Sequence, residues 1–254
     1  MKLFPAAFLL TLGLLIGCAP LPPPLPLPEI TSASDLLSRL EARHQGLSAF
    51  QGRGRLTYLS PRQNYSGTSL IKACLPTTLR VDILDLFGGS LLSFYSDGQV
   101  VQVLFPKEGK FIEGPATSEN LAAFIPPGMT LAQVVRGLTA DLPLSSGSPT
   151  HWNLQKESQQ YLLEWQTAAG LCQERLWVDA RTFYPIKAEW FDSLGIRRFL
   201  LEWNDYDSLA PGRPRLFKVL TFEPQAELRL AFRELQLNPP LRAEDLQVPR
   251  PHKN

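Results

Sequence analysis

Residues 226–237 read Ala-Glu-Leu-Arg-Leu-Ala-Phe-Arg-Glu-Leu-Gln-Leu. Within them Leu228, Leu230 and Phe232 alternate with Glu227, Arg229 and Arg233. Successive side chains of a strand point to opposite faces, so this run predicts a strand with one dry face and one wet face. Working upstream, the same reading gives strands at 214–222, 196–203, 186–193, 171–178, 159–166 and 151–157. Nearer the start it gives strands at 52–59, 63–74, 78–87, 90–96 and 99–105, with Asp97-Gly98 as a hairpin turn. Short turns join most of these strands, which predicts one long antiparallel sheet. A sheet of that many strands tends to curl.

Helices are few in this reading. Ser32 is placed to cap a helix over Ala33–Gln45, with Leu36, Leu37 and Leu40 as its apolar stripe and Gly46 as its stop. Thr117 caps a short helix reaching Ile125, where Pro126-Pro127-Gly128 interrupts the chain, and a second runs from Leu131 to Leu138. Residues 142–149 read as a loop. The fold class is therefore mainly β with helices (α+β), with the N-terminal helix and two short central helices covering the dry face of the sheet.

The N-terminus has a different character. Lys2 is the sole charge before Glu29, and Leu3 to Gly17 is apolar. That run is shorter than the roughly 20 residues a membrane span needs, and its flanks match a secretory signal. Leu15-Ile16-Gly17-Cys18 resembles the bacterial lipobox, which implies cleavage before Cys18 and lipidation of its sulfur. Ala19 follows, where an aspartate would imply retention at the inner membrane. Pro20 to Pro28 favours polyproline II, and at about 3.1 Å per residue it spans roughly 28 Å, a spacer between anchor and domain. The divisions are thus 1–17 signal peptide, 18–30 lipidated cysteine and tether, 31–249 folded domain and 250–254 tail.

Composition narrows the function. The chain has 25 basic and 24 acidic residues among 254, for a net charge of +1. A balanced chain offers no electrostatic case for nucleic acid. After Cys18, Cys74 and Cys172 remain, and export leaves two readings open: a disulfide or two separate thiols.

An ordered set of segments then resembles a known family. It comprises Gly52-Arg53-Gly54-Arg55-Leu56, Leu79-Arg80-Val81-Asp82, Leu86-Phe87-Gly88-Gly89 and Ser96-Asp97-Gly98. It continues with Leu176-Trp177-Val178-Asp179, Phe183-Tyr184-Pro185-Ile186-Lys187 and Leu237-Asn238-Pro239-Pro240-Leu241. Their order over residues 33–249 resembles the outer-membrane lipoprotein carrier and receptor family, LolA/LolB, with the anchor matching the lipid-anchored receptor type, LolB. The resemblance implies a curved, incomplete β-barrel whose apolar interior takes acyl chains. It also implies lipoprotein or lipid cargo, a soluble periplasmic carrier as partner, and a place on the periplasmic face of the outer membrane. The long strands over 159–222 and the proline tether depart from a minimal receptor.

Catalytic patterns are sparse. His44, His151 and His252 have no metal-ligand neighbour at useful spacing, and no Gly-x-Ser-x-Gly elbow occurs. Asp205-Tyr206-Asp207 reads as a turn in preference to a calcium site. The expectation is a non-enzymatic protein with no cofactor and no metal. Trp177, Trp203 and Leu230, apolar positions central to their strands, are expected in the acyl-chain cavity. Leu86 and Phe87 beside Gly88-Gly89 admit two readings: a tip covered by a helix or loop, or an exposed tip that enters lipid. Two functions follow. One is a membrane-anchored carrier of acyl chains. The other is a structural or interaction lipoprotein with the same fold and a filled core.

Overall fold

The computed structural model describes residues 30–61, 64–141 and 152–250. The signal peptide, Cys18, the proline tether, the loop at 142–149, His151, His252 and the tail beyond Arg250 lie outside the described residues.

Among the described residues, thirteen strands form one sheet. In chain order they are β1 (Ala49–Leu59), β2 (Asn64–Cys74), β3 (Thr78–Leu84), β4 (Ser90–Ser96), β5 (Val100–Phe105), β6 (Lys110–Pro115), β7 (Trp152–Glu157), β8 (Gln160–Gln166), β9 (Cys172–Asp179), β10 (Pro185–Phe191), β11 (Arg197–Tyr206), β12 (Pro214–Phe222) and β13 (Gln225–Leu237). Their order across the sheet is β6-β5-β4-β3-β2-β1-β13-β12-β11-β10-β9-β8-β7. Each half of the chain is a meander. The halves meet where β1 pairs with β13, and β6 and β7 are left as free edges, so the barrel is incomplete.

Sequence reading missed β6. Its residues, Lys-Phe-Ile-Glu-Gly-Pro, carry two strand-disfavouring types and alternate only weakly. An edge strand tolerates both, because one side of it makes no ladder hydrogen bonds.

The helices lie on the inner face, as their apolar stripes require. α1 (Ala33–Ala42) starts with Ser32 accepting the Asp35 N–H, and buries Leu36, Leu37 and Leu40. It stops at Ala42, earlier than the predicted Gln45. α2 (Ser118–Leu121) is capped by Thr117 and is a single turn. α3 (Leu131–Gly137) has a reciprocal cap, Thr130 and Gln133 each bonding the other's backbone, and buries Leu131, Val134 and Val135. A continuous core joins these helices to Phe50, Ile71 and Phe94 of the first half and to Leu163, Leu176, Leu201 and Phe217 of the second.

The seam between β1 and β13 depends on glycine. Phe232 of β13 is fully buried. A Cβ on Gly52 would stand 2.7 Å from its ring, and one on Gly54 would stand 2.5 Å from the Ala231 carbonyl oxygen. Any larger residue drives the two strands apart. Beside this contact the register slips between Arg53 and Gly54, leaving Arg233 as an extra residue on β13. The bulge reverses the strand's phase. Leu228, Leu230 and Phe232 face inward before it, and Leu235 and Leu237 pack against the core after it. Asn238 then locks the strand end: its Oδ1 accepts from Ser48 N (2.9 Å) and its Nδ2 donates to the Gly46 carbonyl (2.7 Å). The chain continues over the outer face of the first half, where Leu246 and Val248 bury against Tyr95.

Replacing Gly54 with Ala is expected to destabilise the fold by about 1–3 kcal/mol, the usual cost of overpacking. Urea unfolding followed by tryptophan fluorescence reads it; an unchanged midpoint would show that the seam has slack.

Candidate functional site: an apolar cavity between two unlike ends

All twelve neighbouring strand pairs are antiparallel. The connections therefore alternate between the two ends of the sheet. The turns after β1, β3, β5, β8, β10 and β12 share one end, here the tip end. Those after β2, β4, β7, β9 and β11 share the other, where the C-terminus of α1 sits.

That second end is plugged by polar groups. Arg213, between β11 and β12, is buried, and its guanidinium donates to His44 Nδ1 (2.8 Å), the Thr139 carbonyl (3.1 Å) and the Arg43 carbonyl (3.0 Å). Arg43 donates to the Phe183 and Gly212 carbonyls and lies over the Tyr184 ring at 4.5 Å. Burial, reinforced by Arg213, Arg43 and Arg136, lowers the His44 pKa to about 3. The ring is thus neutral, and its Nδ1 accepts from Arg213. Burial likewise raises the Tyr206 phenol, whose hydroxyl donates to the Pro185 carbonyl at 2.6 Å. This network explains His44 as a structural group. Sequence gave no sign of it, because its members are scattered over 170 residues of chain.

Between the plug and the tip end lies a cavity of about 390 Å³. Ligand pockets typically hold about 300–1,000 Å³. Its floor is the inner face of the first half of the sheet and the seam: Leu56, Ile71, Val81, Leu92, Phe94 and Leu230. Its roof is Phe124, Ile125 and Pro126 after α2, with Val134 of α3 and Leu138 at its C-cap. Phe124 stacks on Phe94 with ring centroids 5.4 Å apart. Small residues are interspersed with the large ones along the seam. Gly54 pairs with Ser69, and Leu56 with Gly67. Tyr58 and Tyr65 carry the lining toward the tip end, as do Ile83, Leu91 and Leu92 at the base of the β3–β4 hairpin. Among the described residues the Tyr65 hydroxyl has no hydrogen-bond partner. With few polar groups to satisfy, the space suits a hydrocarbon chain.

Of the three predicted cavity residues, Leu230 lines it. Trp203 does not. It is fully buried beside α3, its indole N–H donating to the Gly137 carbonyl at 2.7 Å, and it is part of the solid core. Trp177 is also corrected, because strand parity puts it on the outer face. Leu176 and Val178 are the buried neighbours, and the Lys187 ammonium lies 4.1 Å from the Trp177 ring centroid. The residues missed, Ile71, Val81 and Phe94, belong to strands read correctly. What singles them out is the roof above them, a long-range feature.

The β3–β4 tip is not covered. Leu86 is 99% exposed and Phe87 98% exposed. Asp85 braces the turn, its Oδ1 accepting from Phe87 N and Gly89 N, both at 2.9 Å. Gly88 supplies the positive φ of 85° that the turn requires. In the β11–β12 connection, Asp205 pairs with Arg215, and Asp207 Oδ1 accepts from Gly212 N at 2.6 Å.

No protein-family model matches the chain, and no curated protein matches it. Solved structures do. A domain from Vibrio parahaemolyticus assigned to outer-membrane lipoprotein sorting is 13% identical, with a TM-score of 0.55, covering 85% of this chain and 97% of its own. A LolA superfamily protein from Nitrosomonas europaea is 15% identical, with a TM-score of 0.54, covering 86% and 99%. A DUF1329 family protein from Desulfovibrio piger is 12% identical, with a TM-score of 0.57, covering 85% and 95%. The chain therefore shares its open, curved sheet with these structures. At these identities the likeness is one of fold.

Cys74 and Cys172 are both free and half-buried, and burial raises both thiols. Cys74 ends β2 at the plugged end, whereas Cys172 opens β9 at the tip end, so the disulfide reading falls. Alkylation of the denatured, unreduced protein is expected to modify both residues; a Cys74–Cys172 linked peptide in the digest would contradict this arrangement.

Proposed function

We propose that this protein is a lipid-anchored envelope lipoprotein of LolB type, which holds acyl chains of a lipoprotein or lipid in its cavity and delivers them to the outer membrane. The observation that carries the reading is the position of the cavity: its apolar lining runs to the base of a bare apolar tip. The anchor on Cys18 and the proline tether would keep the domain within reach of the bilayer. Burying Leu86 and Phe87 in lipid would add about 1.5–3 kcal/mol each. That is modest beside the anchor, but enough to orient the tip end toward the membrane. The superfamily fold supports a binding role in the cell envelope. A soluble periplasmic carrier would supply the cargo, and no step requires catalysis. The alternative, an interaction lipoprotein with a filled core, sits poorly with a cavity of about 390 Å³.

Two variants separate holding from delivery. Leu56→Trp fills the cavity and is expected to reduce uptake of a fluorescent fatty-acyl probe about tenfold, equivalent to roughly 1.4 kcal/mol. Leu86→Glu with Phe87→Glu is expected to keep probe uptake and lose transfer to vesicles. Unchanged uptake in the first variant would remove the cavity from the account, and normal transfer in the second would remove the tip.

A further inference from the structure

Three hairpin turns at the tip end share one backbone design. In 85–89 the Asp85 N–H donates to the Gly89 carbonyl (2.8 Å) and the Gly88 N–H to the Asp85 carbonyl (3.2 Å). In 192–196 the Asp192 N–H donates to the Ile196 carbonyl (2.9 Å) and the Gly195 N–H to the Asp192 carbonyl (2.9 Å). In 167–171 the Thr167 N–H donates to the Leu171 carbonyl (2.9 Å) and the Gly170 N–H to the Thr167 carbonyl (2.8 Å). The fourth residue of each is a glycine at positive φ: Gly88, Gly170 and Gly195. The first residue braces each turn from its side chain. Asp192 Oδ1 accepts from Leu194 N (2.9 Å) and Ile196 N (3.0 Å), as Asp85 does for its own turn, and Thr167 Oγ1 accepts from Leu171 N (3.2 Å).

What the turns display is also alike. Among the described residues, the exposed large apolar side chains are Leu59, Leu86, Phe87, Ile112, Leu171, Leu194 and Ile196. Leu59 ends β1 at the tip end, and Ile112 is on the edge strand β6. The other five are in these three turns. Leu194 is 77% exposed and Ile196 49%.

We infer that the turns at 192–196 and 167–171 form a second membrane contact, in the far half of the sheet from Leu86 and Phe87. The occupant is a lipid bilayer. Two features favour it over a protein. First, the turns are separated. The β3–β4 and β10–β11 turns lie six strand spacings apart in the sheet order. At about 4.8 Å per spacing that is roughly 29 Å along the curved sheet. Isolated tips do not make the contiguous face of about 800 Å² per partner that a stable protein interface needs, whereas a planar bilayer meets all of them together. Second, most of the turn N–H groups are already bonded within each hairpin. Burying an unsatisfied polar group in hydrocarbon costs several kcal/mol, and these turns avoid much of that cost. The flanking charges are mixed. Arg198 lies near Asp192 and Glu223, and Lys107 pairs with Asp85, so the contact relies on apolar insertion and not on anionic lipid. Two contacts fix a line on the membrane, where one leaves the domain free to swing about its tip.

The inference rests on the delivery reading for its purpose, but its test is separate. Photoreactive benzoylphenylalanine is placed at position 194, at 87 or at 208 in the full chain, which is then irradiated with phosphatidylethanolamine–phosphatidylglycerol vesicles. Adducts are read by mass spectrometry. Ser208 is in the β11–β12 connection at the plugged end and serves as the control. Lipid adducts at 194 and none at 208 are expected, unchanged in high salt. Adducts at 87 alone would overturn the second contact and leave the first. Adducts at 194 alone would uphold the second contact and remove the first. A cross-link from 194 to another copy of the chain, or lipid adducts equally at 208, would overturn the inference.

Discussion

The pairing of β1 with β13 is the constraint on which the rest of the structure depends. It joins Phe50 to Leu237 and Leu59 to Glu227, across nearly the whole folded chain. Without it there are two independent meanders, each with an exposed edge at what is now the seam. With it there is one curved surface deep enough to hold a core on its inner face. Gly52 and Gly54 permit the close approach, and the bulge at Arg233 keeps the apolar residues of β13 inward along its length. Leu56 and Leu230, beside this seam, are also cavity residues.

The two ends of the sheet meet different physical demands. At the plugged end, buried backbone carbonyls need donors, and Arg43 and Arg213 supply them. Neutral His44 accepts from Arg213, so no unpaired imidazolium is buried there. At the tip end the hairpins satisfy most of their own N–H groups, and their apolar side chains are left outside. Soluble proteins seldom set such residues on loop tips, where water is the neighbour. The asymmetry gives the cavity a direction: sealed by hydrogen bonds at one end, bordered by hydrocarbon at the other.

Much of the fold was legible in the sequence. Strands β4 and β12 were read at their observed limits, and β7, β8 and β9 to within a residue, because half-buried antiparallel strands alternate clearly. The caps at Ser32 and Thr117 marked the starts of α1 and α2, and α3 was read from Leu131. What eluded the sequence depends on distant partners. The edge strand β6 has weak alternation, and its identity comes from pairing with β5. Trp203 and Trp177 show the same limit within the site. Both are large aromatics central to a strand, yet one packs under α3 and the other lies outside beneath Lys187. Periodicity separates the faces of a strand only when the phase is counted from a residue whose face is known; Leu176 and Val178 give that phase for Trp177. The exposure of Leu86 and Phe87 was one of two readings left open, since nothing local says whether another segment covers a turn.

The central claim is that the space above Leu56, Ile71 and Phe94 holds hydrocarbon when the protein is at work. Native mass spectrometry of the protein purified from a bacterial envelope, with the anchor-bearing N-terminal segment cut away, tests it most directly. The account predicts a bound acyl-chain lipid that leaves when the protein is unfolded and returns on refolding with lipid. A folded protein that carries no lipid, and gains none when lipid is supplied, would contradict it.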